Sequence, residues 1–193
     1  MSELRKFLFQ GLPVRGMLVR LTESWQEVLR RRTASGLETE YPEPVRRLLG
    51  EMTAAATLMQ SNIKFNGALV LQVFGDGPLK LAVVEVQADL SFRATAKVVG
   101  EVPPDASLSQ MVNRNKQGRC MVTLDPRDRL PGQQPYQGII SLWDDSGRPI
   151  EHFAEVLQHY MLQSEQLDTT LVLAADDRLA AGLLIQRLPV QGG

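Results

Sequence analysis

The strongest constraint on how this chain folds lies in residues 68–86. Ala68-Leu69-Val70-Leu71-Gln72-Val73-Phe74 and Leu79-Lys80-Leu81-Ala82-Val83-Val84-Glu85-Val86 flank Gly75-Asp76-Gly77-Pro78. Two aliphatic, β-branched runs around such a segment read as a β-hairpin, with Asp76-Gly77 offering the positive φ angles that a tight turn demands. With Phe74 opposite Leu79, one face of the hairpin carries Val70, Gln72, Phe74, Leu79, Leu81, Val83 and Glu85. The other carries Leu69, Leu71, Val73, Lys80, Ala82, Val84 and Val86. Both faces are largely apolar. A sheet covered on one side only would alternate apolar with polar residues, so this pair demands cover on both sides. The cover is either the chain's own helices and strands, or a partner that meets an apolar face left open for it. The final apolar runs, 171–174 and 179–188, have the same two-faced character.

Elsewhere the period is helical. Val45, Leu48, Leu49, Met52, Ala55, Ala56, Met59 and Ile63 draw one stripe over residues 44–65, with Pro44 suited to the first helical position and Asn66-Gly67 as a stop. A second helix is predicted over about 22–34, opened by a Ser24/Glu27 capping box and closed by Gly36, and a third over about 150–166. Strands are predicted at 68–74, 79–86, 92–99, 120–124, 137–143, 169–175 and 179–188, with loops at 100–107 and 125–135. Strands in hairpin pairs, not alternating with helices, give an α+β class: mainly antiparallel sheets packed with three main helices.

Composition bounds the rest. The chain has 193 residues, 44% of them hydrophobic, and a net charge of -1. That size suits one domain whose core needs no covalent staple, and the single cysteine, Cys120, allows no internal disulfide. No apolar run approaches the roughly 20 residues of a membrane helix, and the start lacks the pattern of a secretory signal, so a cytoplasmic setting without membrane contact is the expectation. No catalytic constellation stands out. His152 and His159 lie about 10.5 Å apart along a helix axis, too far to share one metal ion. Cys120 in an apolar strand reads as a buried, inert thiol. Arg30-Arg31-Arg32 reads as the solvated end of a helix, and Asp144-Asp145 and Asp176-Asp177 read as turns. Near-neutral charge argues against a nucleic-acid partner.

Several segments, in order, carry a resemblance. Val14-Arg15-Gly16, Gly75-Asp76-Gly77-Pro78-Leu79 after a Leu-Gln-Val strand, and Tyr136-Gln137-Gly138 are joined by Tyr160 with Ser164-Glu165-Gln166. The last is the ending Ala180-Ala181-Gly182-Leu183-Leu184-Ile185-Gln186-Arg187-Leu188-Pro189. The set resembles the redox-regulated bacterial heat-shock chaperones of thirty-three kilodaltons. That resemblance implies an ATP-independent holdase that binds unfolding proteins under oxidative or heat stress and acts as a homodimer. It implies a core domain over 1–188 and the beginning of a linker at 189–193. Beyond these it implies a zinc domain with four cysteines in C-x-C and C-x-x-C arrangement, whose oxidation releases zinc and activates the protein. None of those cysteines is present here, and Cys120 is not one of them, so no cofactor is expected within these residues and zinc is expected only in that further domain. For the holdase reading, Val70, Phe74, Leu79, Leu81 and Val83 are the candidate client-binding residues, since Gln72 and Glu85 among them imply solvent contact on that face. Two other classes stay open: a small-molecule enzyme using His152 and Glu155, and a nucleic-acid module using Arg114, Lys116 and Arg119.

Overall fold

In the computed structural model, residues 1–36 and 38–190 are described. In chain order they form β1 (Glu3–Leu8), β2 (Val14–Leu21), α1 (Glu23–Ala34), α2 (Glu43–Asn62), β3 (Gly67–Phe74), β4 (Leu79–Val86) and β5 (Phe92–Val98). There follow α3 (Leu108–Val112), β6 (Arg119–Pro126), β7 (Tyr136–Ser141), α4 (Phe153–Glu165), β8 (Thr169–Ala175) and β9 (Ala180–Arg187). All strand pairs are antiparallel, in a four-stranded sheet of order β1-β2-β9-β8 and a five-stranded sheet of order β5-β4-β3-β6-β7. The class is therefore α+β, as the pattern predicted. Of the expected linker start, residues 191–193 lie outside the described residues.

Helix α2 organises both sheets. The predicted stripe is buried from Val45 to Met59, with Ile63 half-buried just past the helix end, but so are Thr53, Ala54, Thr57, Leu58 and Gln60 on the remaining faces. A helix buried all round must be packed all round, and α2 packs against strands of both sheets. Its buried hydroxyls return to its own backbone, Thr53 Oγ1 donating to the Leu49 carbonyl at 2.7 Å and Thr57 Oγ1 to that of Thr53 at 2.8 Å. That removes the cost of burying a polar group unpaired. Small residues set the spacing: a Cβ on Gly182 of β9 would lie 2.9 Å from Leu58 Cδ1, and one on Gly50 would lie 2.5 Å from the Ala175 methyl.

The first two strands escaped the sequence pattern because Arg5, Lys6 and Arg15 interrupt their alternation, and β1 is a largely exposed edge strand. Helix α3 follows the predicted 100–107 loop and has no counterpart among the predicted elements. It has five residues and is fixed by a capping box, Ser107 Oγ accepting from the Gln110 N–H while Gln110 Oε1 accepts from the Ser107 N–H. The box expected at Ser24 and Glu27 does not form. The N-cap is Thr22, two residues before Ser24, so helix α1 opens at Glu23, and Glu27 instead binds Arg30 at 2.6 Å and Arg31 at 2.7 Å.

The hairpin differs from its reading in two ways. Phe74 pairs with Leu81, not Leu79; the shift of two residues leaves the faces unchanged. A bulge between Leu79 and Leu81 in the pairing with β5 then turns Leu79 to the covered side, where it is fully buried. Neither Gly75 nor Gly77 adopts a positive φ. They are glycines because α3 lies against them: a Cβ would sit 2.0 Å from the Val112 carbonyl oxygen at Gly75 and 2.0 Å from that of Met111 at Gly77. Asp76 completes the contact, its N–H donating to the Val112 carbonyl at 3.1 Å and its Oδ2 accepting from the Asn115 N–H at 2.7 Å.

One carboxyl on α2 is out of place. Glu51 is half-buried and makes no hydrogen bond or ion pair among the described residues. Burial pushes it up from 4.5 to about 7, against the opposing pull of Arg47 and His152. Because the folded-state value is raised, the stability that goes with a neutral Glu51 is complete below its ordinary range and is lost as pH rises through about 7. Glu51→Gln is therefore expected to raise stability at pH 8 by on the order of 2 kcal/mol and to change little at pH 4, as read by thermal unfolding at both pH values. Gly77→Ala is expected to destabilise by about 1–3 kcal/mol in urea unfolding, since α3 must retreat from the added methyl.

Candidate functional site

The five-stranded sheet is covered on one face and open on the other. Leu69, Leu71, Val73, Ala82, Val84, Val86, Cys120 and Val122 point to the covered side and are buried. The alternate residues form three rows across the open face. The middle row runs Thr95, Val83, Gln72, Met121, Ile139 from β5 to β7, and beside it run Lys97, Leu81, Phe74, Arg119, Ser141. The third row runs Arg93, Glu85, Val70, Thr123, Gln137. Of the predicted residues, Val70, Phe74, Leu81 and Val83 thus share one half-buried surface, whereas Leu79 is turned away from it by the bulge. Met121 and Ile139, the latter 66% exposed, complete the apolar area and were missed. They belong to β6 and β7, and only the strand order shows that β6 lies next to β3 and β7 next to β6.

The rim is polar and partly neutralised. Glu85 accepts from Arg93 at 2.7 Å and from Gln87 at 2.5 Å. Arg119 has its guanidinium 4.5 Å from the centre of the Trp143 ring, with Nη1 donating to the Lys116 and Gly118 carbonyls at 3.1 and 2.8 Å. The four-stranded sheet has an open apolar face of its own, with Phe7 and Ile185 flanking Gly16 and with Leu183 between Leu18 and Val172. The Phe7 ring lies over Gly16, where a Cβ would be 2.2 Å from it.

The other candidates are placed as follows. His152 and Glu155 line a cavity of about 620 Å³ between α2, α4 and the segment leading into α3, together with Glu51. His159 lies elsewhere, beside the 139–147 segment. Arg114 and Lys116 border a second hollow of about 350 Å³ walled by Trp143, while Arg119 points to the open sheet face. Cys120 is wholly buried, and burial pushes its thiol up to about 12, which keeps the nucleophilic thiolate scarce at neutral pH. Among the described residues no group of three or more His, Cys, Asp or Glu could hold a metal ion, so a zinc site does not fit them. No described helix is long and apolar enough to cross a membrane.

The segments that carried the resemblance turn out to be joints of the fold. Arg15 and Gln186 are directly paired across β2 and β9, Arg15 Nε donating to Gln186 Oε1 at 2.9 Å, and Gln186 Nε2 donates onward to Thr169 Oγ1 at 2.8 Å. Gly138 lets the Tyr160 ring approach β7, where a Cβ would lie 2.9 Å from it.

A protein from Chromobacterium violaceum named 33 kDa chaperonin is 48% identical over 188 residues, covering 97% of this chain and 58% of the relative. One of the same name from Methylobacillus flagellatus is 46% identical over 191 residues, covering 98% of this chain and 58% of the relative. The chain thus spans less than two thirds of the length of these relatives. The crystal structure of the 33 kDa chaperonin (heat shock protein 33 homolog) from Thermotoga maritima superposes with a TM-score of 0.72 at 21% identity, over 96% of this chain and 60% of that one, which shows a shared fold. The family described as Hsp33 protein matches residues 2–193, nearly the whole sequence, and the chain belongs to that family.

Proposed function

We propose that this chain is the client-holding core of an ATP-independent chaperone of the cytoplasm. The observation that carries the reading is the open face of the five-stranded sheet, where half-buried Val70, Phe74, Leu81, Val83 and Met121 and exposed Ile139 form an apolar area around Gln72. A contiguous exposed apolar patch is unusual on a folded monomer and marks a binding surface. An unfolding protein offers the complementary chemistry: side chains that belonged to a core and are briefly in water. Covering both surfaces contributes about 25 cal/mol per Å² of apolar area, most of it offset by the ordering of the captured segment. The balance suits reversible holding. No nucleotide and no catalytic group is required. Family membership and the name 33 kDa chaperonin carried by the relatives support the same reading.

Redox control through zinc-bound thiolates and dimer formation on activation belong, in this proposal, to the part of the relatives that the chain does not span. Capture itself is independent of thiol state, because Cys120 is buried and no other cysteine is present.

Two outcomes are expected from light scattering of a heat-unfolding client without ATP. The purified chain suppresses aggregation equally with and without reductant. The double variant Phe74→Asp and Met121→Asp needs roughly fivefold more protein for the same suppression, because each carboxylate must be desolvated against the client, while its own thermal unfolding stays within a few degrees of the parent.

A further inference from the structure

We propose that the five-stranded sheet face selects, among unfolded segments, those in which two carboxylates about four residues apart flank apolar side chains. This rests on the client-holding reading above and names the kind of segment that face prefers. In the row Lys97, Leu81, Phe74, Arg119 a cation stands at each end of an apolar pair. Lys97 is exposed and makes no hydrogen bond or ion pair among the described residues. Arg119 is held in place by two backbone carbonyls and the Trp143 ring, none of which neutralises its charge. Arg119 is therefore a pre-positioned cation without an acid partner, and pre-positioning lowers the entropic cost of meeting one.

On the same face Arg93 is bound to Glu85, the one acid in the three rows. On the open face of the four-stranded sheet, Arg5 and Arg20 share Glu3 at 2.9 and 3.4 Å. Lys97 and Arg119 are three strand spacings apart, about 14 Å at roughly 4.8 Å per strand, and an extended peptide rising about 3.3 Å per residue covers that in about four residues. A segment crossing the strands with acids at its two ends and apolar residues between them meets each cation and lays its centre on Leu81 and Phe74. A segment flanked by lysines meets repulsion at both ends.

The test is fluorescence anisotropy of labelled, unstructured peptides added to the full 193-residue chain. The peptides share a Val-Leu-Phe centre and differ only in flanking residues: Glu at both ends, Lys at both ends, or Ser at both ends. The Glu-flanked peptide is expected to bind about fivefold tighter than the Lys-flanked one at low salt. That advantage disappears near 1 M salt, where the screening length falls to about 3 Å. Lys97→Glu, a change at an exposed position, reverses or abolishes the preference while the Ser-flanked peptide binds as before. Equal binding of all three peptides, or tighter binding of the Lys-flanked one, overturns the charge selection and leaves client holding intact. Failure of every peptide to bind, together with failure to suppress client aggregation, overturns client holding itself and the selection with it.

Discussion

The structure depends on one helix being buried on every side over its last about two and a half turns before the C-terminal end. From Met52 to Gln60 helix α2 is buried around its whole circumference, so it cannot rest on a single sheet with its back in water. Packing against both sheets solves this for the helix and creates a second problem. Each sheet spends one face on α2, and β3, β4 and β9 are apolar on both. Their outer faces are left without cover among the described residues, and an open apolar face follows directly from how the core is built.

Small features then decide what that face displays. The bulge in β4 moves Leu79 into the core and leaves Leu81 at the edge of the patch beside Phe74. The close approach of α3 to Gly75 and Gly77 anchors the turn at one end of the hairpin, and Asn113 ties α3 to the neighbouring segments through the Leu142 carbonyl and the Gly118 N–H, each at 2.9 Å. A rigid platform loses little entropy when a flexible segment lands on it, which favours a surface built on strands over one built on loops. The acidic cavity beside Glu51 is a different environment: it holds His152 and Glu155 close to a carboxyl raised by burial, and its nearest consequence is for stability.

Much of this was legible in the sequence. The helical stripe of α2, the hairpin of β3 and β4, the final hairpin and the two-faced character of both rest on side-chain periodicity, which survives folding because burial enforces it. The alternation also placed Val70, Phe74, Leu81 and Val83 on one surface even though the register was off by two, since the side-chain period is two. What stayed hidden depended on contacts between distant residues. Periodicity does not reveal that a bulge will rotate Leu79, that Gly77 faces the Met111 carbonyl, or that Met121 lies beside Gln72 and Ile139 beside Met121. Strands β1 and β2 were missed because their alternation is broken by Arg5, Lys6 and Arg15. The last of these is legible only once Gln186, its partner across the pairing, is in view.

The central claim is that clients are held on the open face of the five-stranded sheet, not merely somewhere on an apolar protein. The most direct measurement is photocrosslinking from a single reactive side chain placed at Val83 or, in a separate preparation, at Val172 on the open face of the other sheet. With a heat-unfolding client present, crosslinks from position 83 that far exceed those from position 172, and that vanish when the client is native, are the predicted result. Crosslinks of equal yield from both positions, or from position 172 alone, would contradict it.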